Sequence, residues 1–313
     1  MSHILQSDLW EEFYKRNGRL SGRIDGYFYY IKKIPYINKD IYYFQKSDIP
    51  TIELIDKLKH TKDLMFAIFE PDCYENIDLQ LASLGLKKSP ISIFIPHTAL
   101  IYLKDRTIDE IFKDFNKNTE RNIKKCEKMF DVVESTDKNA IDIFLKLNLN
   151  TLKRKKYYTH NDKYYIDMWE TLRWRGAVIL YAKNKVTGEI VSAIILFYYK
   201  NYIYYPYGAS NENSSGSALL LHYNAIRNAL NLNKSSLLYG HNFEVYDLWG
   251  SLSDNPDPTD PMYGVHRMKT GLGGKIYTTA GSYVLIRNRI VFYSIAFMYN
   301  LRRKVLHTLR HMF

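Results

Sequence analysis

Basic side chains recur at Lys113, Lys117, Arg121, Lys124 and Lys128. The intervals of four, four, three and four residues place all five on one face if residues 107–129 form a single helix. Such a stripe is either a solvated helix surface or a row of cations for the phosphates of a polyanion. The sequence has no Gly-x-Ser-x-Gly elbow, no phosphate-binding glycine loop, no Cys-x-x-Cys pair and no His-Glu-x-x-His motif, so four common catalytic classes lack their local signature. A turn that could cradle a pyrophosphate on main-chain amides is present at 208–220, GASNENSSGSALL. It carries no cation, and Glu212 would repel the anion. Cys73 and Cys126 make neither a disulfide framework nor a zinc spacing, which is the usage of a reducing, cytoplasmic compartment.

The chain of 313 residues is long enough for one large or two modest domains. Its 44 basic against 33 acidic side chains favour polyanionic partners such as RNA, pyrophosphates or anionic lipid headgroups. A genome-wide lysine bias would give the same total. The distribution is more telling: no Asp or Glu follows Asp260, whereas Arg267, Lys269, Lys275, Arg287, Arg289, Arg302, Arg303, Lys304 and Arg310 do. The N-terminal residues lack an apolar segment of signal-peptide length. The apolar run 290–299 is well below the roughly 20 residues that span a bilayer.

The elements that must position these residues follow from hydrophobic periodicity. The first part of the chain reads as a helix over 4–17, strands at 27–34 and 41–44, a helix over 52–60 and a strand at 64–69. A helix over 76–86, strands at 91–95 and 98–103, and the basic helix 107–129 complete it. The second part reads as a strand at 131–135, helices over 137–155 and 162–175, and a hairpin of 177–184 and 189–200 through Thr187-Gly188. A strand at 201–210, a helix over 217–232, a strand at 246–250, a short helix GVHRMK (264–269) and a strand within 275–286 follow. The order β-α-α-β-β-β-α-β-α-β is that of an acetyltransferase-type α/β fold, and the first 130 residues read as a degenerate copy. The expected organisation is two tandem acetyltransferase-like domains with mixed sheets, 1–129 and 130–288, and a basic amphipathic helix at 289–313 that packs back on the first domain.

At this point several segments together resemble the FemABX family of peptidoglycan bridge-forming aminoacyltransferases. They are QSDLW (6–10), KNTERNIKKCEK (117–128), TLKRKKYYTHNDKYYIDMW (151–169), YYPYGAS (204–210), VYDLWG (245–250) and GVHRMKTGLGG (264–274). The resemblance lies in their order and spacing along nearly the whole chain, and no coiled-coil arm interrupts them. It implies aminoacyl-tRNA as co-substrate, no other cofactor and no metal. The implied acceptor is the stem-peptide amine of a peptidoglycan precursor, nucleotide-linked or lipid-linked.

The resemblance also implies roles for particular residues. Arg154 matches an arginine that binds the precursor's phosphates, for which a guanidinium is suited; the alternative is a surface arginine in the run 153–156. Lys15 is the nearest candidate for a second phosphate contact, or a solvated helix residue. Tyr205 and Tyr207 match strand tyrosines of the acceptor site and, two apart on a strand, are expected on one face. Tyr158 joins the same substrate-binding set. Glu70 matches an acidic position that holds the attacking amine, or else caps a loop. Lys269 is the expected catalytic residue, its ammonium stabilising the tetrahedral oxyanion. Met268 and Leu272 stand where the family usually has aromatics.

Two other readings stay open. One is an acyl-CoA-dependent N-acyltransferase, the other a non-catalytic binder of RNA or wall precursor. The last helix could pack on the first domain, lie on an anionic membrane surface or contact tRNA, so the expected location is the cytoplasm or the inner face of the membrane.

Overall fold

Residues 3–155 and 160–311 are described in this computed structural model, with side chains in 153–155 and beyond 302 left aside. The chain divides into two units, 1–96 with 278–313, and 97–277.

Unit one opens with a 3-10 turn at Ile4–Gln6, followed by α1 (Asp8–Arg16). The Ser7 hydroxyl caps it by accepting from the Trp10 amide, with Asp8 and Glu11 in its first turn and Lys15 and Arg16 in its last. Then follow β1 (Ser21–Ile24), β2 (Tyr27–Ile34), β3 (Lys39–Ser47), α2 (Ile52–His60), β4 (Leu64–Pro71), α3 (Asp78–Ser83) and β5 (Lys87–Lys88). Unit two comprises β6 (His97–Tyr102), α4 (Ile108–Lys113), α5 (Lys117–Met129), β7 (Phe130–Ser135), α6 (Ala140–Lys155), α7 (Asp162–Leu172), β8 (Ala177–Asn184), β9 (Ile190–Tyr199), β10 (Tyr202–Ser210), α8 (Ser217–Ala229), β11 (Val245–Ser251), α9 (Tyr263–Gly271) and β12 (Lys275–Thr278). The chain returns to unit one with β13 (Tyr283–Ile286) and α10 (Arg289–His311).

Unit one is built on a sheet of order β1-β2-β3-β4-β13-β5. Its parallel centre, β3 beside β4, buries both faces, as the near-continuous apolar runs require. Tyr42, Phe44, Ala67 and Phe69 meet Leu54, Ile55 and Leu58 of α2 and Leu81 of α3. The alternate residues Ile41, Tyr43, Phe66 and Ile68 meet Phe292 and Ala296 of α10. The expected return of the last helix onto the first unit is therefore present.

Unit two is built on a sheet of order β12-β6-β11-β10-β9-β8-β7. Val178, Leu180 and Ala182 of β8 and Ile194 and Leu196 of β9 pack on Leu220, Leu221 and Ala225 of α8 and on Ile123 and Cys126 of α5. α6 packs against β9 and β10. This is the acetyltransferase order read from the sequence, with a parallel β10–β11 pair beside antiparallel strands.

Three expectations need correction. The first domain does not run to residue 129, nor the second to 288. β6 pairs with β11 and so belongs to the second sheet, whereas β13 pairs with β4 in the first; the division falls at 96/97 and at 277/278. The helix at 107–129 is two helices. The Asn116 side chain accepts from the Thr119 amide and starts α5 afresh, and the Asn116 amide donates to the Gly271 carbonyl at 3.0 Å. Lys113 is consequently on α4, and the exposed residues Lys117, Arg121, Lys124 and Lys128 on α5. Residues 91–95 form no strand: Ser92 and the amides of Ile93 and Phe94 bond the Glu70 carboxylate instead of a neighbouring strand.

Candidate functional site

In unit two, β10 and β11 pair in parallel from Tyr202↔Val245 to Tyr204↔Asp247, and there the pairing stops although both strands continue. Each strand is irregular just beyond that point. In β10 the register with β9 jumps from Tyr204↔Phe197 to Tyr207↔Ile195, so two residues oppose one. Pro206 lies in the jump and has no N–H for a ladder. In β11 the register with β6 shifts between Asp247 and Gly250, where Trp249 adopts a left-handed φ of 68°.

Beyond its bulge, β10 borders a cavity of about 660 Å³. α6 presents Asn148, Thr151 and Leu152 to it, one helix face at i, i+3, i+4 spacing. β10 supplies the stretch from Tyr205 to Ser210, α7 supplies Tyr165, and α9 supplies Gly264, Val265 and Met268. Thr151 fixes α6 to the end of β10, since its hydroxyl donates to the Ser210 carbonyl and accepts from the Ser210 amide, both at 3.0 Å. The described lining contains no Asp, Glu or Cys. Its polar groups are tyrosine and threonine hydroxyls, Asn148, Ser210 and His160.

The two expected tyrosines both line this cavity, but not from one face of the strand. The bulge interposes an extra residue, so alternation is broken between them. Tyr207 keeps the face of its partner Ile195. Its ring meets Tyr165 edge-on at 5.1 Å, and its hydroxyl lies 3.2 Å from that of Tyr164. Tyr205 joins the other face, edge-on to His222 of α8 at 4.4 Å and packed on the core that holds Leu196 and Leu220. Gly208 makes room for it, since a β-carbon there would overlap the Tyr205 hydroxyl. Burial pushes that hydroxyl up to about 12.

Lys269, only 4% exposed, stands behind this wall. Its ammonium donates to the carbonyls of Trp249 at 3.2 Å and Gly250 at 2.5 Å, the irregular end of β11, and lies 5.8 Å from the centre of the Tyr205 ring. Burial lowers its pKa to about 8, opposed by the carboxylate of Asp247. Asp247 is itself held by the Thr98 hydroxyl at 2.5 Å and the Trp249 amide at 2.7 Å. His222 completes the group. Its Nδ1 lies 2.7 Å from the Tyr246 hydroxyl, and burial with the nearby Lys269 charge lowers its pKa to about 3.

The remaining expected residues are placed as follows. Arg154 belongs to the last turn of α6, and its side chain, like all of Tyr158, lies outside the described residues. Lys15 and Glu70 are in unit one. Lys15 is paired with Glu11 at 2.8 Å on the exposed side of α1. Glu70 is 6% exposed, and its Oε1 accepts from the Ser92 and Ser282 hydroxyls and the amides of Ile93 and Phe94 at 2.7–3.2 Å. It thus holds a loop, as one of its two expected readings has it, and its buried Oε2 has no partner among the described residues. Met268 faces the cavity, whereas Leu272 is fully buried in the core. Sequence reasoning missed His222, Asp247 and His160. His160, just before the Asn161 cap of α7, stacks on Tyr164 at 3.6 Å. That Asn cap was a readable signal; the other two depend on strand pairing.

A parallel strand pair that parts beside a bulge, with a helix following the bulged strand, is the arrangement of an acetyltransferase-like fold. Residues 85–186 match the FemAB family, whose members are aminoacyltransferases of peptidoglycan bridge synthesis. The crystal structure of FemX superposes with a TM-score of 0.79 at 18% identity, over 94% of this chain and 95% of that one. The similarity to the FemABX family thus rests on the match of residues 85–186 and on a fold shared with FemX. L-PGS from Bacillus licheniformis shares the fold at a TM-score of 0.54 and 13% identity, over 95% of this chain and 98% of that one. A conserved protein of unknown function from Bacteroides thetaiotaomicron does so at 0.58 and 9%, over 87% of each. No curated protein matches the chain by sequence. No described helix is long and apolar enough to cross a membrane.

Proposed function

We propose that this chain transfers the aminoacyl group of an aminoacyl-tRNA to the stem-peptide amine of a peptidoglycan precursor. The observation that carries the reading is the buried ammonium of Lys269 at the parting of β10 and β11, beside a cavity whose described lining holds no carboxylate. An amine attacking an aminoacyl ester forms a tetrahedral oxyanion. Collapse breaks the ester C–O bond, returns the ribose hydroxyl to the tRNA and leaves an amide, while the attacking nitrogen gives up a proton. The ester is already activated, so stabilising the oxyanion matters more than a strong base. An ammonium has three donors; two hold carbonyls here, and the reading requires the third to reach the oxyanion past the Tyr205 ring. A pre-placed donor of this kind is worth about 3–4 kcal/mol. Tyr205 and Tyr207 supply the acceptor-side wall. Arg154 with Tyr158, Lys15 and Glu70 remain the candidates for the precursor's phosphates and amine, and the exposed cations of α5 suit the tRNA backbone.

The test combines the protein with total tRNA charged with mixed amino acids and with nucleotide-linked and lipid-linked muramyl pentapeptide, followed by mass spectrometry. A product heavier by one or more amino-acid residues, and lost when the tRNA is first digested with ribonuclease, is the expected result. No gain with either acceptor, together with a thermal shift on adding CoA, would replace this reading with acyl-CoA-dependent transfer. Precursor or tRNA binding without turnover would make the chain a binder.

A further inference from the structure

α10 buries one face on the unit-one sheet through Phe292 and Ala296. Between Arg289 and Arg302 its exposed residues are apolar except for Ser294, unlike the polar face of an ordinary surface helix. Ile290, Tyr293, Phe297, Met298 and Leu301 are each between 51% and 81% exposed. Their spacing is helical, so they form one ridge about 16 Å long at 1.5 Å per residue. Exposed Arg289 and Arg302 stand at its two ends, and no acidic residue occurs in the helix or anywhere after Asp260.

We propose that this ridge seats α10 flat on the surface of an anionic lipid bilayer. An apolar stripe bounded by cations, with aromatic rings within it, is the pattern of an interfacial helix: the ridge enters the headgroup–acyl boundary and the guanidiniums stay with lipid phosphates. The helix lies on the bilayer and does not cross it. A second copy of the chain is a poorer occupant. Antiparallel pairing of the ridge would set Arg289 against Arg302, and parallel pairing would set each against itself, with no acidic residue on α10 to offset them. A nucleic acid laid along the ridge would meet apolar side chains between Arg289 and Arg302.

This inference is independent of the transfer reaction. Its test is sedimentation of the full chain with vesicles of phosphatidylcholine alone and of phosphatidylcholine mixed with phosphatidylglycerol. Binding to the mixed vesicles, weakened by salt and reduced about tenfold or more by Phe297→Ser with Leu301→Ser, is expected. Because both side chains point outward, the melting transition should stay in place. A Phe297→Trp variant gives a second measure, with a blue-shifted emission on mixed vesicles. Absence of binding to either vesicle, binding unchanged by the double variant, or a solution dimer that the double variant abolishes would each overturn the proposal.

Discussion

Lys269 is held in an environment that opposes its own charge. Burial lowers its pKa to about 8, so the folded chain loses this proton where the unfolded chain keeps it, up to the usual lysine range near 10.5. Two consequences follow in opposite directions. The ammonium that serves the oxyanion is present below about pH 8, so the rate of the transfer step should fall as pH rises through that value, read in single-turnover assays. Between about 8 and 10.5 the unfolded chain binds the extra proton, so this residue makes stability rise with pH. Lys269→Met should lower the transfer rate roughly 10²–10³-fold and remove the descending limb. It also strips the Trp249 and Gly250 carbonyls of their donor, at about 1–3 kcal/mol, which thermal melting would register separately. A second residue-level test concerns Tyr205. Gly208→Ala should destabilise unit two by about 1–3 kcal/mol through overlap with the Tyr205 hydroxyl, and Tyr205→Phe in the same chain should restore part of the loss. Lys269 was singled out only through the family resemblance of GVHRMK; its burial against the Trp249 and Gly250 carbonyls depends on the irregular end of β11 and had no signal in the sequence. The facing of Tyr205 and Tyr207 was misread because alternation assumes an unbroken ladder, and Pro206 breaks it. His222 was illegible: only the pairing of β11 brings Tyr246 to it.

At the scale of elements, the cavity depends on α6 being tied to the far end of β10. Thr151 makes that tie with both a donated and an accepted bond. Thr151→Val keeps the shape and removes both bonds to the half-buried Ser210 backbone. A loss of about 1–2 kcal/mol in chemical denaturation is expected, with a fall in kcat/KM for transfer as the wall loosens. Thr151→Ser should recover most of both. Elements with one strong periodicity, such as β8, β9 and α8, were read to within a few residues. The helix at 107–129 was read as continuous because its basic spacing runs across the break. The competing signal was local: Asn116 offers a cap three residues before Thr119, and a cap outranks periodicity on a solvated face. The ISIFI segment misled for the opposite reason. Its alternation suits a strand, but the Glu70 carboxylate takes its amides.

For the whole molecule, burial opposes protonation of three described histidines, His3 in unit one and His222 and His266 in unit two. Burial lowers His3 in unit one and His222 in unit two to about 3, the nearby Lys46 and Lys269 acting in the same sense and Asp72 opposing at His3. In the unfolded chain both take up protons near 6.5. The stability they contribute is therefore complete above about 6.5 and drains as pH falls toward 3, by at most about 1.4 kcal/mol per pH unit for each. Melting temperature measured from pH 7 to 4 should fall steeply, and His222→Phe should flatten part of the slope. The two-part organisation was legible from length and from the repeated element order. Its boundaries were not, because a pattern of strands along a chain does not say which sheet each one joins. β13, which lies between β4 and β5, shows what that arrangement entails. Both of its neighbours come from the first 96 residues, while β13 itself follows all of unit two. A ribosome therefore releases β4 long before the strand that covers it. During synthesis the inserted unit is complete while the first sheet still waits, its central edge unpaired, for residues 283–286.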